Sequence, residues 1–195
     1  MGAPVRVVVL GTGQMGSGIG RLVLERPGLE LVGVFGRRAE RAGTDAGLAF
    51  GLGATLGLAI EADLHALLDR ARPDVAIQAT CSRLAEAEGE IGACVERGVH
   101  AISIAEEMAW PAATDAAWAA RLDRRAVERG VAVLGTGVNP GFVLDLLVIA
   151  LSGACAIIAT DAGKPTWPTT LPAAIPARKA SGVSPTPCVR STVGP

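Results

Sequence analysis

Val5-Arg6-Val7-Val8-Val9-Leu10-Gly11-Thr12-Gly13-Gln14-Met15-Gly16 is a β-branched apolar run that breaks into spaced glycines and passes straight into a helical pattern. That order predicts a first strand, a phosphate-cradling loop and a helix, as at the start of a dinucleotide-binding fold. Gly11 allows the tight turn out of the strand, Gly13 lets the backbone approach a pyrophosphate, and Gly16 lets the helix lie close to the sheet. The helix carries Met15, Ile19, Leu22 and Val23 on one apolar face and stops at Pro27-Gly28. Its unpaired N–H groups and its dipole then face the bound phosphates. A glycine motif alone is weak, and a βα turn without a ligand is the competing interpretation. A second strand, Leu29 to Phe35, at the expected interval favours the dinucleotide site.

Past that strand comes Gly36-Arg37-Arg38, where an acidic residue commonly stands. A carboxylate there accepts hydrogen bonds from the adenosine ribose and repels a 2′-phosphate. Two guanidiniums suit a phosphate and stack on adenine, so Arg37 and Arg38 favour NADP over NAD. Dual cofactor use stays open, as does the plainer alternative that both arginines are solvated residues beginning the next helix.

Composition narrows the function classes. Half of the 195 residues are apolar, 19% are charged and the net charge is −1, so the chain can build a core and offers no basic surface for nucleic acid. The start moves directly into a strand, without the succession of a secretory signal, which predicts a cytoplasmic protein. Cys81, Cys94, Cys155 and Cys188 lie far apart and predict free thiols and no metal site. Phe142 to Ala159 is mostly apolar, but Asp145, Ser152 and Gly153 interrupt it. A helix packed on a sheet explains the pattern better than a membrane span.

Along the chain, residues 39–58 blur into scattered glycines and predict a short helix and a poorly defined strand. Leu64, Leu67, Leu68 and Ala71 form a helical stripe with Asp63 as cap and Pro73 as stop. His65 lies off that stripe and reads as a solvated or capping residue, since nothing of its kind lies nearby to make it a ligand. Asp74 to Thr80 is the next buried strand, with Thr80-Cys81-Ser82 at its carboxyl end, the edge at which ligands sit in open α/β sheets. There Thr80 can meet the ribose or diphosphate, and Ser82 can cap a helix carrying Leu84, Ile91 and Val95. Cys81 reads as a packed thiol, since no histidine partner makes it a nucleophile.

Val99 to Ile104 is a further strand, ending in Ala105-Glu106-Glu107-Met108. Glu106 and Glu107 either receive a cationic amine or the nicotinamide ribose, or are ordinary acids at a helix start. A long helix from Thr114 to Arg129 and a strand from Val131 to Leu134 lead into Gly135-Thr136-Gly137-Val138-Asn139-Pro140-Gly141. In that loop Asn139 and Pro140 are placed to open a helix, and the glycines can admit nicotinamide or substrate. The repeated βαβ order predicts an α/β domain over residues 1–156, with a doubly wound parallel sheet of the Rossmann type. Residues 157–195 hold seven of the twelve prolines and lose apolar periodicity, which predicts an irregular, disordered tail.

With these stretches assembled, the chain resembles the dihydrodipicolinate-reductase-like oxidoreductases, and within them the diaminopentanoate dehydrogenase branch. The likeness is carried by Val9 to Gly16, by Ile102 to Met108 and by Gly135 to Phe142, and covers residues 4 to 155. It implies an NAD(P)-binding domain followed by an α+β domain that binds substrate and mediates oligomerisation. It also implies that Gly11, Thr12, Gly13, Gln14, Met15 and Gly16 contact the diphosphate and Arg37 the adenosine ribose or its phosphate. The implied activity is hydride exchange at a carbon bearing an amine or imine, as in deamination of a diamino acid or reduction of a cyclic imine. Where the family continues into its second domain, this chain turns to the proline-rich tail, read as a frameshift or premature end near Ala156. Two other function classes stand beside the enzyme: a dinucleotide-binding module without turnover, and a truncated product exposing an apolar docking surface.

Overall fold

The computed structural model describes residues 2–139 and 141–152. Six strands, β1 (Val5–Leu10), β2 (Leu29–Phe35), β3 (Ile60–Glu61), β4 (Val75–Gln78), β5 (His100–Ser103) and β6 (Val133–Gly135), pair in the order β3-β2-β1-β4-β5-β6, every neighbour parallel. Each parallel crossover must return over a face of the sheet, and it does so through a helix. These are α1 (Gln14–Glu25), α2 (Ala46–Ala49), α3 (Leu64–Ala71), α4 (Leu84–Glu96), α5 (Pro111–Thr114) and α6 (Ala116–Arg129). The strand order reverses between β1 and β4, so the doubly wound sheet of the Rossmann type is present, with its switch point beside the glycine loop.

The two faces are covered unequally. On one, α3, α4 and α6 pack Leu67, Leu68, Leu84, Ile91, Val95, Leu122 and Ala126 onto Val8, Leu10, Ala76, Ala101 and Val133 as the main core. On the other, a smaller cluster of Val34, Ala46, Phe50 and Ile60 sits under the α2 segment. A register shift between Val7 and Val8 against β2 lets Val32 and the next residue, Gly33, both turn toward the α3 side, where a Cβ on Gly33 would lie 2.5 Å from Leu67 Cδ1.

Helix α1 departs from its expected packing. Its buried residues are Gly16, Gly20 and Val23, while Met15 is 51% and Leu22 53% exposed. The cause is close approach: a Cβ on Gly20 would fall 2.3 Å from the Phe50 ring, so a small-residue side faces inward and the bulky residues turn out. The stripe of α3 is buried as expected, with the Asp63 carboxylate accepting from Ala66 N at 3.0 Å. The helix expected over Thr114–Arg129 is present as α6, and a separate short turn, α5, precedes it, the two parting at Asp115. That residue is extended, and its carboxylate accepts from Trp118 N at 2.8 Å and caps α6. Residues 39–58 hold a 3₁₀ turn (Ala39–Arg41) and α2, stapled by Asp45, which accepts from the backbone N–H groups of Gly47, Leu56 and Gly57.

Two capping expectations fail. Helix α4 begins after Arg83 with no side-chain cap of its own, and Ser82 does not supply one. The π turn Phe142–Leu146 begins after Gly141, again with no side-chain cap, so Asn139 does not fill that role. No helix of the described residues is long and apolar enough to cross a membrane. The proline-rich tail expected over 157–195 lies outside the described residues, as do Pro140, Cys155 and Cys188.

Candidate functional site

The carboxyl ends of β1, β4, β5 and β6 converge on one edge of the sheet. Gly11 leaves β1 at φ +126°, a backbone region that disfavours any side chain, and a Cβ there would lie 2.6 Å from the Ala79 carbonyl oxygen after β4. A Cβ on Gly16 would lie 2.1 Å from the Gly11 carbonyl oxygen, so loop and helix touch backbone to backbone. Gly13 differs: it is extended, exposed, and a Cβ on it would meet no atom within 4 Å. The fold itself therefore requires glycine at 11 and 16, while at 13 the absent Cβ keeps open the space in front of the α1 N-terminus.

That N-terminus suits an anion. It has no side-chain cap and no acidic residue in its first turn, so the N–H groups of Gln14, Met15 and Gly16 point outward beside Gly13. Thr12 is 8% exposed and packs by its methyl toward Gly36, and its carbonyl oxygen accepts from Arg41 Nη1 at 2.6 Å. Arg41 was no part of the sequence-based site. A long side chain three residues beyond Arg38 gives no signal of where it lands until the 3₁₀ turn folds it back over the loop.

Arg37 does not stand free at this edge. Its Nε donates to Glu90 Oε1 at 2.7 Å, and its Nη2 donates to the Glu86 carbonyl oxygen at 2.6 Å and to Cys81 Sγ at 3.6 Å. Its Nη1 reaches Glu86 Oε2 at 3.5 Å. Burial opposes its charge most, but the hydrogen bond and the attraction of Glu90 outweigh it and raise the guanidinium's pKa. Arg38 is exposed and makes no side-chain hydrogen bond or ion pair among the described residues.

Behind the loops runs a buried polar chain. Ser103 Oγ at the end of β5 donates to Gln78 Oε1 at 2.5 Å, and Gln78 Nε2 donates to Thr80 Oγ1 at 2.6 Å and to Cys81 Sγ at 3.0 Å. Thr80 Oγ1 donates to Glu90 Oε2 at 2.6 Å, and Glu90 closes on Arg37. Gln78, Ser103 and Glu90 are at most 7% exposed, and no buried side-chain polar atom among the described residues lacks a partner. Glu90 was missed because it sits among apolar residues. Its place three after Ala87 and four before Cys94, on the buried side of α4, was the available signal.

The other expected residues are dispersed. Glu106 begins the 3₁₀ turn Glu106–Ala109 after β5, exposed and with no side-chain hydrogen bond or ion pair among the described residues. The Glu107 Oε2 accepts from Leu84 N at 2.7 Å, which makes it the cap of α4, and its own N–H donates to the Ser82 carbonyl oxygen at 3.3 Å. Asn139 is exposed in the turn past β6, whose start is tied to β5 by Thr136 N donating to the Ser103 carbonyl oxygen at 2.9 Å. Cys81 is a half-buried free thiol in the polar chain. Cys94 is fully buried, and burial pushes its thiol up to about 12. Among the described residues no group of three His, Cys, Asp or Glu side chains is arranged to hold a metal ion.

With an uncapped helix end facing open space at the switch point, comparison with known proteins decides the lineage. The sequence profile of the family "Dihydrodipicolinate reductase, N-terminus" matches residues 5–104. The chain belongs to that family. It is 39% identical over 153 residues to 2,4-diaminopentanoate dehydrogenase of Acetoanaerobium sticklandii, a match covering 77% of this chain and 43% of the relative. Among solved structures it is similar to the amine dehydrogenase from Mycobacterium smegmatis, with 33% identity and a TM-score of 0.70, covering 76% of this chain and 44% of that one. GenD2 from gentamicin A biosynthesis, solved in complex with NAD, shares the fold at 20% identity and a TM-score of 0.57, over 82% of this chain and 41% of its own. The chain thus spans less than half the length of these relatives and corresponds to a dihydrodipicolinate-reductase-type N-terminal domain.

Proposed function

We propose that this chain is the NAD(P)-binding part of an oxidoreductase acting on a carbon–nitrogen centre of an amino acid, by oxidative deamination of a diamino acid such as 2,4-diaminopentanoate or by reduction of an imine of the dihydrodipicolinate type. The observation that carries the proposal is the open, uncapped mouth of α1. Gly13 leaves it clear, and the inner glycines hold the loop against β4. A diphosphate fits there, because its charge meets the helix dipole and its oxygens meet outward N–H groups. Gly11, Thr12, Gly13, Gln14, Met15 and Gly16 hold it. NADP is preferred over NAD because Arg37 and Arg38 follow Gly36 at the place where a carboxylate would repel a 2′-phosphate.

When bound, the dinucleotide supplies hydride transfer, and the chain's own residues orient it and exclude water. Thr80, fixed by Gln78 and Glu90, presents the β4 edge to the dinucleotide, and Glu106 stands at the end of β5 for the ribose. Glu107 and Asn139 border the region into which substrate enters. The amine-bearing substrate class is supported by two relatives above 30% identity, whose names specify a diaminopentanoate and an amine dehydrogenase.

Titration with NADPH and NADH, followed by turnover assays with 2,4-diaminopentanoate and imine substrates at the nicotinamide absorbance band, tests the proposal. Cofactor binding with substrate-dependent absorbance change is expected. Failure to bind either nucleotide would overturn it, and binding without turnover would favour the non-catalytic module.

A further inference from the structure

We infer that Arg41 and Arg38 hold the 2′-phosphate of a phosphorylated dinucleotide, and that Arg37 is a structural bracket that takes no part in that contact. The inference rests on the dinucleotide site proposed above and assigns which of its cations discriminate.

Arg37 is already committed. Its bonds to Glu90 Oε1, Glu86 Oε2, the Glu86 carbonyl and Cys81 Sγ engage four of a guanidinium's five N–H donors. Two carboxylates lie within 3.5 Å of it, so its charge is balanced before any ligand arrives. A phosphate placed against it would face both acids at short range. Glu90 cannot swing aside, because it is 7% exposed and its second oxygen is held by Thr80 at 2.6 Å.

Arg41 is the reverse case. Its Nη1 is anchored on the Thr12 carbonyl at 2.6 Å, which places the guanidinium on the glycine loop, and no carboxylate among the described residues pairs with it. Arg38 opens the same 3₁₀ turn. Its carbonyl accepts from Arg41 N at 3.0 Å, which ties the two residues together across the turn. Glu40, the acid of that turn, forms no ion pair with either arginine among the described residues. Gly11 N donates to the Phe35 carbonyl at 2.8 Å, so this turn follows directly from the β2 end that lies against the loop. Two unneutralised guanidiniums, one fixed and one free, therefore flank the adenosine end, and they offer a phosphate the forked donors it binds best.

The test is calorimetric titration of the whole chain with NADPH and NADH, with thermal unfolding run in parallel. The double variant Arg38→Gln/Arg41→Gln removes both charges and retains side-chain N–H donors, with Tm as the check that the loop keeps its packing. It is expected to weaken NADPH about tenfold or more and to leave NADH within about threefold. Arg37→Gln and Arg37→Lys are expected to lower Tm and to change both nucleotides by the same factor. A double variant that keeps the NADPH-to-NADH ratio of the unsubstituted chain would overturn the assignment, as would an Arg37→Lys variant that loses NADPH selectively. If the unsubstituted chain binds neither nucleotide, the dinucleotide site itself falls, and the assignment with it. That result is distinct from an unchanged ratio with binding intact.

Discussion

Gly13, at the N-cap of α1, and Gly16, in its first turn, lie three residues apart and are glycine for different reasons. At Gly16 an added Cβ would be 2.1 Å from a backbone carbonyl, which cannot move without dragging the loop, whereas at Gly13 it would meet nothing. Gly16→Ala is therefore expected to cost about 1–3 kcal/mol in urea unfolding, the range for overpacking a tight contact. Gly13→Val should unfold with the unsubstituted chain yet abolish nucleotide binding; retained binding would show that the open mouth is not the site. Asp69 gives a pH prediction at the same scale. Hydrogen bonds from Arg97, at 2.6 and 3.2 Å, are the first cause holding its carboxyl below the ordinary carboxylate range. A carboxyl whose folded pKa is lowered stabilises the fold fully above the unfolded value of about 3.9, and loses that contribution as pH falls through the folded value. The Tm gap between the chain and Asp69→Asn should thus be widest at neutral pH and close on acidification. A gap unchanged down to pH about 3 would contradict the pairing.

Helix α4 shows how elements depend on one another here. It has no N-terminal cap of its own, and Glu107, from the turn after β5, supplies the acceptor for Leu84 N. Glu107→Ala should lower stability by about 1 kcal/mol, the usual cost of losing a helix cap, while Glu107→Gln keeps a carbonyl oxygen and should cost less than half of that. Equal losses in chemical denaturation would mean that the carboxylate charge matters more than the hydrogen bond. The same helix explains what could be read from the chain and what could not. Its apolar residues Leu84, Ile91 and Val95 were legible because burial follows a 3.6-residue period. Ser82 looked like its cap because capping preferences are local, but the cap came from a residue more than twenty positions away. The break at Asp115 between α5 and α6 was likewise hidden, since alanine-rich sequence on both sides favours continuous helix and only the local extended backbone separates them.

Across the whole molecule the two faces of the sheet differ. Val9, Ile77, Ile102 and Leu134 stand side by side in register on β1, β4, β5 and β6, on the face opposite the main core. Burial declines along that row from complete at Val9, beside α1, to 37% exposure at Leu134. Ile91, by contrast, lies fully buried between α4 and the other face. Ile91→Ala is expected to cost about 2–5 kcal/mol as a core cavity, and Leu134→Ala less than about 1 kcal/mol. A large loss at Leu134 in urea unfolding would reveal that this end of the row is covered in solution.

The sequence by itself determined the parallel sheet, five of its six strands and the glycine loop, because these rest on local patterns: β-branched runs, glycines where a side chain cannot fit, and helical stripes between them. Strand β3, two residues long at Ile60–Glu61, lies outside the blurred stretch in which a strand was expected. Only the tertiary structure decided which of the nearby cations are already paired with carboxylates and which are not. Arg37 and Arg38 are indistinguishable in the chain, and Arg41 carries no motif. Folding brings Glu90 and Glu86 from α4 against Arg37, and turns Arg41 back onto Thr12. An arginine's availability depends on the carboxylates around it in space, and side chains more than forty residues apart meet only when the sheet is assembled.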